Sequence, residues 1–456
     1  MDVAAINPAT GQTVKIYRET TQEEVAAAIA KAHEAWGEWR ARPFAERARL
    51  MQRCAGILRA RQESLARLMA TEMGKPVKQG AAEAEKCAWA CEFYAANAER
   101  MLQPEDVATE AKRSYVAFQP LGVVLAVMPW NFPLWQVYRF AAPGLMAGNV
   151  AVLKHASNVP GCALAIDEMF REAGFPEGVF RALLVGSKAV GAIIDHPRVR
   201  AVTLTGSTPA GRSVAMQGGH AIKKTVLELG GSDAYVVLED ADLDHAARTC
   251  VQSRLVNSGQ SCIAAKRFIV ASPVAREFTE RFVERMKQAK VGDPFDEATD
   301  VGPLARQDLR DHLHVQVRRS KDRGARVLLG GEVPAGDGAW YPPTVLADVK
   351  PGMPAFDEEL FGPAAAIVEA KDENDAIELA NRTQFGLGGA VFTKDLARGE
   401  RLARALECGF AAVNTLVASD PRLPFGGVKC SGYGRELGVF GIREFVNVKT
   451  VYLQAA

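Results

Sequence analysis

Neither sign of charge predominates in this chain: 55 basic residues face 54 acidic ones, for a formal net charge of +1. That balance sets up no field to gather a nucleic acid or an anionic bilayer, so the expected partner is a small molecule. A membrane-spanning run is also missing. The longest apolar passage, LGVVLAVMPWNFPLW from Leu121, is interrupted by two prolines and is too short to cross a bilayer as a helix. The N-terminal MDVAAINPATGQ lacks the basic start and apolar centre of an export signal. The eight cysteines show no spacing of a disulfide framework or a zinc ribbon, which fits free thiols in a reducing cytoplasm. No metal site is expected. Cys87 and Cys91, four apart on a helical pattern, and His312 and His314, two apart, are poor candidates for ligands.

What is present is ordinary globular material, 48% hydrophobic and 24% charged over 456 residues, too long for one core. From Thr21 to about Ala98 the pattern reads as successive helices, opened by a Thr21/Glu24 capping box, with Trp36, Trp39 and Trp89 as packing residues. Between Leu121 and about Leu229 short β-rich runs (LGVVLAVMP, NVAVLKH, RALLVG, RAVTLTG) alternate with helical segments, the signature of a parallel sheet wrapped by helices. A second α/β series starts at AYVVLED, which sets a domain boundary at Gly230 and Gly231. The runs EAKRSYVAFQP, ending at Pro120, and EFVNVKTVYLQ, from Glu444, alternate as exposed strands able to share one sheet and to pair with another subunit. No internal repeat is evident.

Four short stretches carry chemistry. NSGQSC places Cys262 after small, flexible residues, and a thiol with an ordinary pKa of about 8.5 needs only modest help to become a nucleophilic thiolate. A cysteine is more often a small buried apolar residue, so the neighbouring motifs matter. PWNFP sets Asn131 between two prolines at the end of a buried strand, where a rigid amide N–H can meet a developing oxyanion. Alone it would read as an Asx-turn. LELGG puts Glu228 between leucines, where the charged form is disfavoured and the carboxyl moves towards the range of a general base; a salt-bridged structural glutamate is the bland alternative. VTLTGSTPAG has the strand, glycines and helix start of a phosphate site, yet not the GxGxxG spacing of the common dinucleotide fingerprint.

Together PWNFP, GSTPAG, LELGG, GQSC, EELFGP and PFGGVKCSGYGRE, in this order over nearly the whole chain, resemble the aldehyde dehydrogenase superfamily, and most closely its succinate-semialdehyde dehydrogenase subgroup. The resemblance implies an α/β fold with a Rossmann-like cofactor domain (1–106 and 121–229), an α/β catalytic domain (230–430) and a small β oligomerisation element (107–120 and 431–456). It implies Cys262 as nucleophile, Glu228 as base and Asn131 as oxyanion donor, with no metal. It also implies a cofactor site at Trp130, Lys154, Ser157, Gly206, Ser207, Leu229, Glu359 and Phe361. Ser157 stands where NAD-selective members often carry glutamate, so NADP is expected to be accepted and preferred, with NAD as the alternative. Arg139 and Ser419 match residues that hold a substrate carboxylate in this subgroup, which points to succinate semialdehyde. A second arginine found in some relatives is Val256 here, leaving glutarate semialdehyde or a broader aliphatic range open, and the regulatory second cysteine of some relatives is Ala264. A quaternary-ammonium aldehyde is disfavoured by the arginine. Coenzyme A acylation is disfavoured by Glu228, and a non-catalytic binding role by the presence of all three catalytic residues. The expected assembly is a cytoplasmic homodimer or homotetramer.

Overall fold

The computed structural model describes residues 2–455. Its centre is two sheets meeting at the Gly230–Gly231 turn. The first has six strands, ordered in space as Gly432–Tyr433, Lys224–Glu228, Val199–Thr205, Val123–Met128, Val150–His155 and Phe180–Leu183. All but the two-residue edge strand run parallel. The second has seven strands between Ala234 and Val413, parallel except for Arg326–Leu329. Both sheets are nearly continuous apolar runs because helices cover both faces, as parallel sheets require.

The helical N-terminal half packs on the first sheet. Helix Gln22–Trp39 begins at Thr21, whose hydroxyl accepts from Glu24 N–H while the Glu24 carboxylate accepts from Thr21 N–H. Trp39 is buried and its indole donates to the Leu145 carbonyl at 3.0 Å. Ahead of these helices, Asp2–Ile6 and Thr13–Arg18 form an antiparallel hairpin around the Asn7–Gly11 turn.

The exposed strands pair as their alternation suggests: Arg113–Pro120 with Val446–Leu453, and Glu105–Asp106 on the far side. One boundary differs from expectation. Gly432–Tyr433 pairs with Leu227 and Glu228 and so belongs to the first sheet, and the second segment of the small sheet starts at Val446 rather than 431. The chain returns there because a Cβ on Gly432 would lie 1.9 Å from the Leu227 carbonyl oxygen; only a glycine lets the two backbones approach. Among the described residues no helix is long and apolar enough to cross a membrane.

Candidate active site

The motifs of the first sheet gather at the carboxyl ends of its parallel strands, where open α/β sheets bind ligands. PWNFP follows Val123–Met128, Ser157 follows Val150–His155, Gly206 follows Val199–Thr205, and Glu228 ends its own strand.

The cysteine is delivered by a strained turn. After helix Leu243–Leu255, Asn257 (φ 54°), Ser258 (φ 55°) and Gly259 (φ 76°) are consecutively left-handed. Such a turn persists only if its surroundings over-determine it, and here they do. Asn257 N–H donates to Gln79 Oε1 at 2.6 Å, and its side-chain amide donates to the carbonyls of Asn131 at 2.6 Å and Gln260 at 3.1 Å. Gly302 N–H donates to Ser258 Oγ at 2.9 Å, and Arg254 Nη2 to the Gly259 carbonyl at 2.6 Å. Lys266 Nζ then holds the carbonyls of Ser261 at 2.8 Å and Cys262 at 2.5 Å.

Cys262 emerges half-buried on the wall of a cavity of about 690 Å³. Burial pushes its thiol up to about 12, with Arg139 and Lys266 pulling the other way. Asn131 is buried on the adjoining loop; its Nδ2 donates to the Gln260 carbonyl at 3.1 Å, which fixes the amide two residues from the sulfur in sequence.

Glu228 is buried, and among the described residues neither carboxyl oxygen has a hydrogen-bond partner. Burial raises its pKa well above the carboxylate range; Arg139 opposes this and Glu436 reinforces it. The carboxyl packs against Gly426, where a Cβ would lie 2.6 Å from Oε1, and it is not among the residues lining the Cys262 cavity. An unpartnered, desolvated carboxyl is costly to keep and is suited to proton transfer.

Arg139 has protein partners that its sequence neighbours do not reveal. It lines the cavity from helix Trp135–Met146, but its guanidinium forms a buried ion pair with Glu436, donates to Thr205 Oγ1 at 3.1 Å and stacks on Phe425 at 4.7 Å. Ser419 also lines the cavity, and its hydroxyl accepts from Lys86 Nζ at 2.8 Å. Lys86 and Glu436 escaped sequence reasoning because each acts through a partner remote in the chain, and Lys266 because it stands outside the motif whose carbonyls it holds. Among the described residues no group of three or more His, Cys, Asp or Glu could hold a metal ion.

The cofactor candidates divide into two places. Ser207 is exposed and caps helix Thr208–His220, its Oγ accepting from Ala210 N–H at 3.4 Å, with Gly206 just before it. Leu229 supports that helix closely: a Cβ on Gly211 would lie 2.5 Å from its methyl groups. Trp130 and Phe361 stand edge to face, centroids 5.7 Å apart. Glu359 Oε1 accepts from Gly231 N–H at 3.0 Å and lies 3.6 Å from Lys266 Nζ, coupling it to the cysteine loop. Farther out, Lys154 is buried at its strand end and its pKa is lowered by burial. Ser157 is exposed and shares a second cavity, of about 1040 Å³, with Lys188; Asp2 and Glu19 also line it.

A strained cysteine loop, a fixed amide and a desolvated carboxyl lie at the junction of two α/β sheets. The chain matches the model of the aldehyde dehydrogenase family over residues 1–451 and belongs to that family. It is 51% identical over 453 residues to a probable succinate-semialdehyde dehydrogenase (NADP(+)) of Synechocystis sp., covering 99% of this chain and 100% of the relative. It is 52% identical over 457 residues to a succinate-semialdehyde dehydrogenase (NADP(+)) of Mycobacterium avium, covering 99% and 97%. The crystal structure of succinic semialdehyde dehydrogenase from Streptococcus pyogenes in complex with NADP+ superposes with a TM-score of 0.97 at 36% identity, covering 99% of this chain and 100% of that one.

Proposed function

We propose that this aldehyde dehydrogenase oxidises succinate semialdehyde to succinate with NADP as the preferred acceptor. The observation that carries the substrate class is the cavity itself: the candidate nucleophile Cys262 shares it with Lys86, Arg139 and Ser419, a cationic wall suited to an aldehyde bearing a second, anionic end. Relatives of about half-identical sequence named for that reaction support the reading.

The residues present fit a dinucleotide. Gly206 and Ser207 offer a glycine turn and a helix N-terminus to a pyrophosphate, with Leu229 packed against that helix and the Trp130–Phe361 ring pair proposed to flank the rest of the dinucleotide. Glu359 lies towards the cysteine for a nicotinamide ribose. Ser157, with Lys154 behind it and Lys188 in the same cavity, suits a 2′-phosphate better than an acidic residue would. When bound, the cofactor supplies an acceptor for the hydride released from the aldehyde carbon.

The chain's own residues do the rest. Cys262 gives its proton to solvent and its sulfur adds to the aldehyde carbon, and the resulting alkoxide is met by the Asn131 side-chain N–H and the Cys262 backbone N–H. Loss of hydride leaves a thioester on the sulfur. Glu228, turned from its resting place against Gly426, takes a proton from water, whose oxygen attacks the thioester carbon; succinate leaves and the thiol returns. The desolvated carboxyl favours this hydrolysis over transfer to coenzyme A.

We further infer a cytoplasmic homodimer or homotetramer assembled through the small sheet. Val446–Leu453 is an eight-residue edge strand exposing Val448, Tyr452 and Leu453, an edge that a lone subunit would leave prone to aggregation.

The test is the initial rate of nicotinamide reduction with succinate semialdehyde, NAD and NADP in parallel, beside Cys262→Ala. Rapid NADP reduction that is lost in the variant is expected. No reduction with either cofactor would overturn the assignment, and activity confined to uncharged aldehydes would overturn the substrate.

A further inference from the structure

The Cys262 cavity is lined by several cations, and the structure distinguishes them by what already answers their charge. Arg139 is paired with the buried Glu436. Arg285 reaches Asp244 at 2.6 Å and Arg248 reaches the same carboxylate at 3.5 Å. Lys78 is exposed to solvent. Lys86 is different. It is half-buried on helix Val77–Met101, its ammonium donates to the neutral Ser419 hydroxyl at 2.8 Å and lies 4.6 Å from the centre of the Trp135 ring, and no ion pair closes on it among the described residues. Of the acids before it on its own helix, Glu85 is paired with Arg59 at 2.8 Å, and Glu83 is held by Lys75 and by the N–H groups of Leu134 and Trp135 at 2.8 and 2.9 Å. Asp420, next to Ser419, is taken by Arg422 at 2.6 Å.

A cation removed from bulk water with only a hydroxyl and a ring face for company is poised for an anion from outside. We infer that Lys86, oriented by Ser419, receives the distal carboxylate of the substrate aldehyde, and that Arg139 is a positioning residue that anchors Glu436 beneath the cavity. This rests on the semialdehyde reading of the same site. It also accounts for Val256: a site with Lys86 across the cavity has no need of a second arginine there.

The experiment compares kcat/KM for succinate semialdehyde with that for butanal, an uncharged aldehyde of the same length, in the parent enzyme, Lys86→Met, Lys86→Gln and Lys86→Arg. Loss of one charge-assisted contact should lower the ratio about 10- to 100-fold in Met and Gln, mostly through KM, with partial recovery in Arg. A ratio equal to the parent's in both Met and Gln overturns the inference. So does a uniform loss with both aldehydes, which marks a purely structural lysine.

A second readout is pH. Burial, with Arg139 adding to it, lowers the Lys86 ammonium to about 8, while Cys87, Glu83 and Asp420 act against this. The parent ratio should therefore fall as pH passes about 8, and that step should vanish in Lys86→Met; a step that survives overturns the inference. Inhibition by butanoate separates the two readings. Should the parent show no preference for the semialdehyde, the proposed substrate fails, and Lys86 stands or falls on whether Lys86→Met weakens butanoate inhibition.

Discussion

Replacing Gly259 by alanine should disable the enzyme from a residue that touches no substrate. Two costs are readable from the structure. At φ 76° a β-carbon meets the following carbonyl, at about 1–2 kcal/mol. The same β-carbon would lie 2.3 Å from both the carbonyl carbon and oxygen of Gly362, backbone atoms that no side-chain rotation can clear, and overpacking of this kind costs about 1–3 kcal/mol. The sum, about 2–5 kcal/mol, exceeds what one of the loop's hydrogen bonds returns, about 0.5–1.5 kcal/mol. The turn should therefore shift and carry Cys262, three residues on, with it. A displacement of about 1 Å at the reacting atom costs on the order of a hundredfold in rate. Steady-state NADP reduction and urea denaturation, read on the same preparation, test this, with iodoacetamide labelling of Cys262 reporting where the sulfur went. Turnover and urea midpoint both indistinguishable from the parent would show that the left-handed turn does not set the nucleophile.

Asn131→Ala should lower kcat by about a hundred- to a thousandfold, the usual value of one oxyanion donor, with little change in NADP affinity by fluorescence titration; a loss confined to KM would mean that the amide serves binding. Burial favours the acid form of Glu228, so its base form gains as pH rises through the raised pKa. Turnover should accordingly climb into the alkaline range in the parent, and Glu228→Gln should keep a rapid first turnover while losing steady-state hydrolysis. An unchanged pH profile in the Gln variant would remove Glu228 from the mechanism. Ser157→Glu should shift preference from NADP towards NAD by like-charge repulsion of the 2′-phosphate, and retention of NADP preference would show that the phosphate is read elsewhere.

The parallel series was legible because strands buried on both faces are written as continuous β-branched runs, and the two series stay separate in sequence. The Thr21 cap was legible because both partners lie within four residues. The Asp2–Ile6 hairpin was not: its strands are mostly exposed and carry little apolar alternation, so only the turn at Asn7–Pro8 showed. The chemistry followed the same rule. Cys262, Asn131 and Glu228 sit in local motifs whose composition singles them out. Arg139 was legible as a non-idle arginine from its apolar neighbours, but Glu436 lies on a segment that comes back only after the whole second sheet is made. A side chain's partner decides whether its charge is spent, and spacing along the chain cannot report a partner 297 residues away.

That partner bears on the base as well. Arg139 contacts Glu436 directly, whereas Glu228 feels Arg139 and Arg435 only through space and, among the described residues, accepts no hydrogen bond. Burial raises both carboxyls, and the one without a hydrogen-bonded partner, Glu228, has less to hold its charged form. Burial thus favours the acid form of Glu228 where hydrolysis needs the anion, and in the cavity it weakens the cationic form of Lys86. The two titrate in opposite functional senses: raising the pH frees Glu228 for water and takes the charge from Lys86. Hydrolytic capacity and preference for a carboxylated aldehyde should therefore cross as pH rises, with the best semialdehyde turnover where both groups are partly ionised, and removal of either side chain should flatten one limb while leaving the other in place.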